Sequence, residues 1–525
     1  MSKMLKNVLL ILLVVVFSVG MMLAGSGCQE AAVETTAAAE TTASIWVPTV
    51  GVAAPSAVAA AKEKDFTGQT VNVIVIQGPQ VAKPFLTYAK EWEAATGATL
   101  NVIEVPYGDL YTKMTTSFAT GAAAYDLLCV NPAWMGDWIP QGFLVPVPED
   151  VKAVVDLADV LPAYSEVMLS WAGQVYALPY DADDMFLYYR SDIINPNSEY
   201  NADFKAKYGY DLDAPKTWTE YYDMAEFFND WDWDKDGEKE YGVAESQVRK
   251  AQSLFTYYAH AGAYAKNPDS PYYFFDETMK PRINNPGFVK ALDDFKKSTK
   301  FGVPGMLGFG IGEIREAFCG GKAAFAVDWG DIGTMAVDPK ISKVNGLVGC
   351  CMMPGSEEVW NDTTQAFDTG KINYGPFMAF GGWSNVVASN SKVQDAAWSL
   401  AAFLGGKDQS LLNCITPESG INPGRTSIFA AIDAWVGMGM TPEFAEDYLG
   451  AIQDTIGDPN VIVDMRQPGS AEYNDVLDRE ISRALSGEIT SQQALDNAAK
   501  EWEAITDRLD RAKQLEYYKA SIGVK

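Results

Sequence analysis

Between residues 71 and 130 the chain alternates apolar runs of two different periods, and that alternation limits its fold more than any other feature. Residues 71–76 read VNVIVI, a strand by their β-branched content. Phe85, Tyr88, Ala89 and Trp92 then recur at helical spacing across 84–95, and Gly97 supplies a stop signal. A second strand at 100–105 is followed by Asp109, a helix cap, with Leu110, Met114 and Phe118 on one face. Gly121 ends that helix, and 125–130 (YDLLCV) reads as a third strand. Strands separated by helices of these lengths predict an α/β fold with parallel pairing and crossover helices. Sheets of this kind take ligands beyond the C-terminal ends of their strands, which singles out the loops 77–80 and 131–138. At the far end Thr490 and Gln493 form a capping-box pattern. They precede a helix with Leu495, Ala498, Trp502, Ile505 and Leu509 on one face.

The first residues carry a different signal. Lys3 and Lys6 precede an uncharged apolar run over 8–24, followed by Gly25-Ser26-Gly27-Cys28. A basic start, an apolar stretch and small residues are the parts of an export signal. The terminal cysteine resembles the lipidation site of bacterial lipoproteins, although Gly25 stands where those proteins usually have Leu. This reading makes 1–28 a signal peptide with lipid on Cys28. The alternative is an uncleaved anchor, since the run is long enough to span a bilayer. Either way the basic residues stay inside and the body lies at the extracytoplasmic face of the cell membrane. Residues 29–67 are rich in Ala, Thr, Glu, Val and Ser and read as a flexible tether.

The net charge is −29, which repels nucleic acid and anionic membrane surfaces and favours a neutral or cationic partner. There are six cysteines and no CxxC pair, and the one histidine, His260, sits in an apolar helical stretch that reads as core. A His/Cys zinc site or a histidine-dependent triad is therefore excluded unless His260 serves it.

From residue 68 onward the order of motifs resembles the extracellular solute-binding proteins (family 1 type, carbohydrate) of ABC importers. The resemblance rests on Glu91-Trp92-Glu93, Val105-Pro106-Tyr107-Gly108-Asp109-Leu110-Tyr111, Tyr125-Asp126-Leu127 and Gly142-Phe143-Leu144-Val145-Pro146. It continues through Ala177-Leu178-Pro179-Tyr180, Tyr188-Tyr189-Arg190-Ser191-Asp192, Pro215-Lys216-Thr217-Trp218-Thr219-Glu220, Gly381-Gly382-Trp383 and Gly420-Ile421-Asn422-Pro423-Gly424-Arg425. It implies a two-lobe periplasmic-binding-protein-like fold with a hinge and discontinuous lobes. Lobe one would take 68–183 with 380–432, and lobe two 184–379 with 433–525. The implied function is a membrane-tethered receptor, not an enzyme. It captures a mono- or oligosaccharide by lobe closure, delivers it to permease subunits of an ABC transporter, and acts as a monomer that needs no cofactor.

Sugar binding needs aromatic faces for C–H surfaces and charged or amide groups for hydroxyls. Loop positions at the lobe edges nominate Trp134, Tyr180, Asp181, Asp184, Trp329, Asp331, Trp383 and Arg425. Trp329 and Trp383 form the leading pair, because Gly-rich loops are poor places to bury Trp for stability alone. Core packing is the competing reading for each Trp, and a solvated turn for each Asp. Separately, Asp232, Asp234 and Asp236 with Gly237 copy the first half of an EF-hand loop, and Glu238 and Glu240 follow. A structural calcium competes there with a plain acidic turn. Two alternatives remain open. An exported glycosidase would need two carboxylates flanking a cleft, and a surface binding protein would have no transport role.

Overall fold

The computed structural model describes residues 47–250 and 252–524. The export segment and Cys28 lie outside the described residues. Two sheets organise the body. In the first, the strands run in the order Thr99–Val105, Thr70–Ile76, Leu127–Val130, Ser384–Val387, Leu178–Pro179. The first three are parallel, as the strand–helix alternation predicts, with helices Pro79–Thr96 and Tyr107–Thr120 as the crossovers. Ser384–Val387 enters antiparallel, with Asn385 opposite Cys129 on one side and Leu178 on the other. Both Leu127–Val130 and Ser384–Val387 are buried along their whole length, so the centre of the sheet is covered on both faces, with Ser384 and Asn385 as buried polar residues within it.

The second sheet has the order Val348–Cys351, Phe186–Arg190, Ala323–Asp328, Tyr241–Ala244. Every residue of Ala323–Asp328 is buried, including the carboxylate of Asp328 that ends it. Helices Trp218–Phe227, Ser253–Ala265, Pro286–Ser298, Ser470–Leu485 and Ser491–Arg508 build the aromatic core of this half around Tyr257, Phe275, Phe295 and Trp502. His260 is part of it. It is fully buried and stacked on Trp218 at 3.8 Å, which excludes it from any exposed catalytic site. The capping box at Thr490 and Gln493 forms as the sequence predicts, with both reciprocal bonds present. All described cysteines are free thiols. No helix among the described residues is long and apolar enough to cross a membrane.

The chain passes between the sheets at 180–185 and 379–383. Met185 bridges to Phe377, and Phe377–Met378 pairs in parallel with Ile462–Val463. These segments form the connection between the two halves.

The tether expectation fails over its last third. Pro55–Lys62 is a helix packed on Pro79–Thr96 and Gln394–Gly405. Ala53, Ala54, Ala57, Ala61 and Phe66 are buried, and the Ala54 amide donates to Gln409. Alanine offers little apolar area to a composition argument, but its small size lets helices approach closely, and Pro55 at the first helical turn needs no donor. Pro84 also falls inside a longer helix than predicted, because Pro79 starts the first turn upstream of it.

Candidate functional site

The turn after Leu127–Val130 is tightened by Asn131, whose Oδ1 accepts the Ala133 amide at 2.7 Å. This holds Trp134 partly exposed at the C-terminal edge of the first sheet. Its ring lies 6.1 Å from Trp383, edge-on at 84°. Tyr107, which opens the helix after the outer strand Thr99–Val105, contacts both, at 6.0 Å from Trp134 and 6.4 Å from Trp383. Phe380 then packs against Tyr107 at 6.0 Å and Trp383 at 5.4 Å. Phe255, from the second half, lies 6.1 Å from Phe380 and 6.0 Å from Trp329. A continuous array of rings thus runs from one lobe to the other, and it joins three of the nominated residues, Trp134, Trp329 and Trp383.

The array carries two marks of a site shaped for more than packing. Phe380 has φ +65°, a left-handed conformation that costs a non-glycine residue about 1–3 kcal/mol. Tyr107 leaves 47% of its surface in solvent although it touches three aromatic rings. Its hydroxyl is pushed up to about 12, first by desolvation and then by the charge of Asp464.

Asp464 is the polar counterpart. It follows Ile462–Val463, is 3% exposed, and its carboxylate makes no side-chain hydrogen bond, the Phe380 amide being the one donor that bears on it. Burial raises its carboxyl to about 7, against the opposing pull of the Phe380 amide and Arg466. Gln467, fully buried, likewise has both side-chain polar atoms unpartnered. A buried polar group without a partner costs about 1–3 kcal/mol, so the Asp464 carboxylate beside the half-exposed Tyr107 fits a site awaiting hydroxyls, although Trp383 and Trp329 are each only 5% exposed. Arg466 is committed elsewhere: it donates to the carbonyls of Val167 at 2.6 Å and of Met168, Ser170 and Ser521 at 3.1 Å.

A second cluster lies where 181–184 meets 328–331. Arg315 grips Asp328 through Nε at 2.6 Å and reaches Asp331 through Nη2 at 2.8 Å. Burial raises Asp328 to about 6, while Arg315 holds it down. Asp181 Oδ1 accepts the Asn422 amide at 2.7 Å, and the Asn422 side-chain amide donates to Asp183. Burial pushes Asp181, Asp183 and Asp184 upward, and the Asp331 charge adds to the first two.

Several nominated residues do other work. Tyr180 is 3% exposed, donates to the Val81 carbonyl at 2.6 Å and packs on Phe85. Arg425 is 1% exposed. It donates to the carbonyls of Val155, Asp156 and Gly405 and to Ser410 Oγ. The space between Tyr180, Asp181 and Arg425 is a residual cavity of about 10 Å³, room for a single water at most. All three are buried and hydrogen-bonded to neighbours within the fold. Asp184 is fully buried and is not drawn into the ring array. The glycines before Trp383 also serve the fold: a Cβ on Gly382 would stand 2.1 Å from the Asp181 carbonyl oxygen, and one on Gly381 would meet the Met168 side chain.

Tyr107, Phe255, Phe380 and Asp464 were not nominated from the sequence. Tyr107 had a visible signal, a large aromatic directly after a strand. Asp464 had a weaker one, a carboxylate ending the apolar run 461–463.

Of the acidic loop, Asp232, Asp234, Asp236 and Glu240 bring carboxylate oxygens within 4.8 Å of one another. Glu238 does not join them and instead pairs with Lys322 at 2.8 Å.

The two-lobed α/β architecture is that of known receptors. An ABC transporter solute-binding protein from Agrobacterium radiobacter, in complex with ribitol, superposes with a TM-score of 0.65 at 24% identity, covering 84% of this chain and 100% of that one. Maltose-bound MalE3 of Thermotoga maritima gives 0.64 at 22% identity, over 83% and 100%. A solute-binding protein from Agrobacterium vitis with bound D-mannitol gives 0.61 at 23%, over 84% and 99%. In sequence, the chain is 25% identical to a mannitol-binding protein of Pseudomonas aeruginosa over 296 residues, 56% of this chain and 59% of that protein's length. Residues 78–410 match the family model, and the chain belongs to the bacterial extracellular solute-binding proteins. This membership groups it with binding proteins and not with enzymes.

Proposed function

We propose that the protein is the receptor of an ABC importer for a neutral polyhydroxy solute, a polyol or short saccharide. The observation that carries this is the ring array crossing between the lobes beside the unpaired, buried carboxylate of Asp464. Aromatic faces cover the C–H surface of such a solute, and an ionised carboxylate accepts two of its hydroxyls. Trp134, Trp383 and Tyr107 form the binding surface of lobe one, with Phe255, Trp329 and Asp464 meeting the solute from the opposite lobe on closure. Closure follows only if the solute binds the closed form better, which an array shared between lobes provides. The Agrobacterium relatives hold ribitol and D-mannitol, and the Thermotoga relative holds maltose, in keeping with this solute class.

The receptor acts as a monomer and is held at the outer face of the membrane by lipid on Cys28, with the segment before Pro48 as its tether. Its lobes divide near 183, 379 and 432, and the closed form is what the permease recognises. Hydrolysis is disfavoured because Asp328 is gripped by Arg315 and Asp181 by an amide, leaving neither free for acid–base work.

Thermal denaturation against D-mannitol, ribitol, maltose and maltotetraose tests the reading. A solute at 100 times its Kd adds about 2.7 kcal/mol of stability. If none of these, nor any wider set of sugars and polyols, moves the melting temperature or the Trp fluorescence, the solute class is wrong.

A further inference from the structure

The turn between helix Trp218–Phe227 and strand Tyr241–Ala244 is closed at its base by the Trp231–Glu240 bridge. Above that base the carboxylates of Asp232, Asp234, Asp236 and Glu240 converge within 4.8 Å, the one such convergence among the described residues. Gly237 takes φ +92° after the third aspartate, the sharp reversal that an oxygen-lined cation loop needs at its sixth position.

Four carboxylates gathered at a surface repel one another, and an acidic turn without a ligand relaxes by spreading them. Here one of them cannot spread. Glu240 is fully buried, and its Oε2 has no hydrogen-bond partner. Asp232 Oδ1 is also unpartnered. The amine at hand is Lys322, whose Nζ lies 2.8 Å from Glu238, 3.1 Å from Glu240 and 3.5 Å from Asp236. That ammonium makes ion pairs with Glu238, Glu240 and Asp236, Lys343 adds a more distant charge to Asp236, and neither lysine is in an ion pair with Asp232 or Asp234.

We infer that this loop binds a calcium ion, held by Asp232, Asp234, Asp236 and Glu240. An all-oxygen donor set without His or Cys selects a hard cation over zinc or copper. A loop rather than a rigid octahedral cage favours calcium over magnesium, which demands closer geometry. Glu240 replaces the bidentate glutamate that an EF-hand carries three positions later, where this chain has Val243. The ion acts structurally. Lys322 leads directly into Ala323–Asp328, and its carbonyl accepts the Tyr241 amide, so the loop pins the start of the strand that ends at Asp328, just before Trp329.

The test uses the full chain, stripped with chelator, with calorimetric titration of calcium chloride and of magnesium chloride in parallel with melting curves. One-site calcium binding and a raised melting temperature are expected, with magnesium at least about tenfold weaker. Asp234→Asn, at an exposed position, should weaken calcium binding at least about tenfold while leaving the melting temperature in chelator unchanged. Glu240→Gln should do the same to binding, and Asp234→Asn keeps the test decisive if that variant does not fold. Absent calcium binding, equal affinity for magnesium, or parental calcium affinity in Asp234→Asn would each overturn the assignment. Sugar titrations do not enter, so the outcome is independent of the solute proposal.

Discussion

Asp464 gives the proposed site a pH signature. Burial raises its carboxyl to about 7 from the free value of 3.8. An acid raised in this way is protonated more readily in the fold than in the unfolded chain. Its ionisation therefore weakens the unliganded fold as pH climbs from about 4 to about 7, by up to roughly 4 kcal/mol. Solute hydroxyls donating to the carboxylate reverse the preference, because they stabilise the charged form alone. Affinity should then rise with pH and level off above about 7. At about pH 5.5 only about 3% of the carboxyl is ionised, so Kd should be roughly thirtyfold higher than at about pH 8. The assay is Trp fluorescence titration with whichever polyol or saccharide shifts the melting curve. Asp464→Asn should flatten the pH dependence, and it should stabilise the empty protein at about pH 8. A parental Kd that is equal at the two pH values, or tighter in acid, would refute the assignment of Asp464 to solute binding.

Trp383→Ala and Trp134→Ala should each weaken solute binding by roughly 1–3 kcal/mol, about tenfold to a hundredfold, measured by calorimetry. Parental affinity in both would move the site elsewhere. Arg425→Met should cost several kcal/mol of stability by stripping donors from the buried carbonyls of Val155, Asp156 and Gly405, yet leave the Kd of the folded fraction unchanged. A lost affinity at parental stability would restore Arg425 to the solute. Cys28→Ser should abolish palmitate labelling of the expressed chain, and unchanged labelling would rule out lipid at that position.

How far the sequence could be read depended on whether a signal was local. The parallel strands, the crossover helices, the core position of His260 and the Thr490–Gln493 cap all rest on neighbours within a few turns. They emerged from periodicity and cap chemistry alone. Trp134 is nominated by its place after a strand and Trp383 by its Gly-rich loop, yet the fold buries Trp383 to 5% exposure. Arg425 could not be judged from its Gly/Pro surroundings, since its partners at 155, 156 and 405 are distant in the chain. Phe380 and Asp464 escaped for the same reason. The strain of one and the missing partners of the other exist only once Phe377–Met378 and Ile462–Val463 lie side by side. The helix Pro55–Lys62 escaped differently, because its alanines gain their stability from a fitted surface rather than from a hydrophobic pattern.

The late arrival of Ser384–Val387 in the first sheet has a consequence for how the protein is made. Tyr164 and Ser384 share a hydrogen bond across 220 residues, and Asp126 and Ser391 share one across 265. Synthesis at about 5–20 residues per second leaves roughly 13–50 s between the appearance of Leu127–Val130 and of the strand that covers it. Throughout that interval an apolar strand edge stands open, a template for pairing with another chain. Loop closure over such a span also slows folding once the whole chain is present. The open edge of Leu127–Val130 is therefore the place where mispairing competes with folding until Ser384–Val387 arrives to cover it.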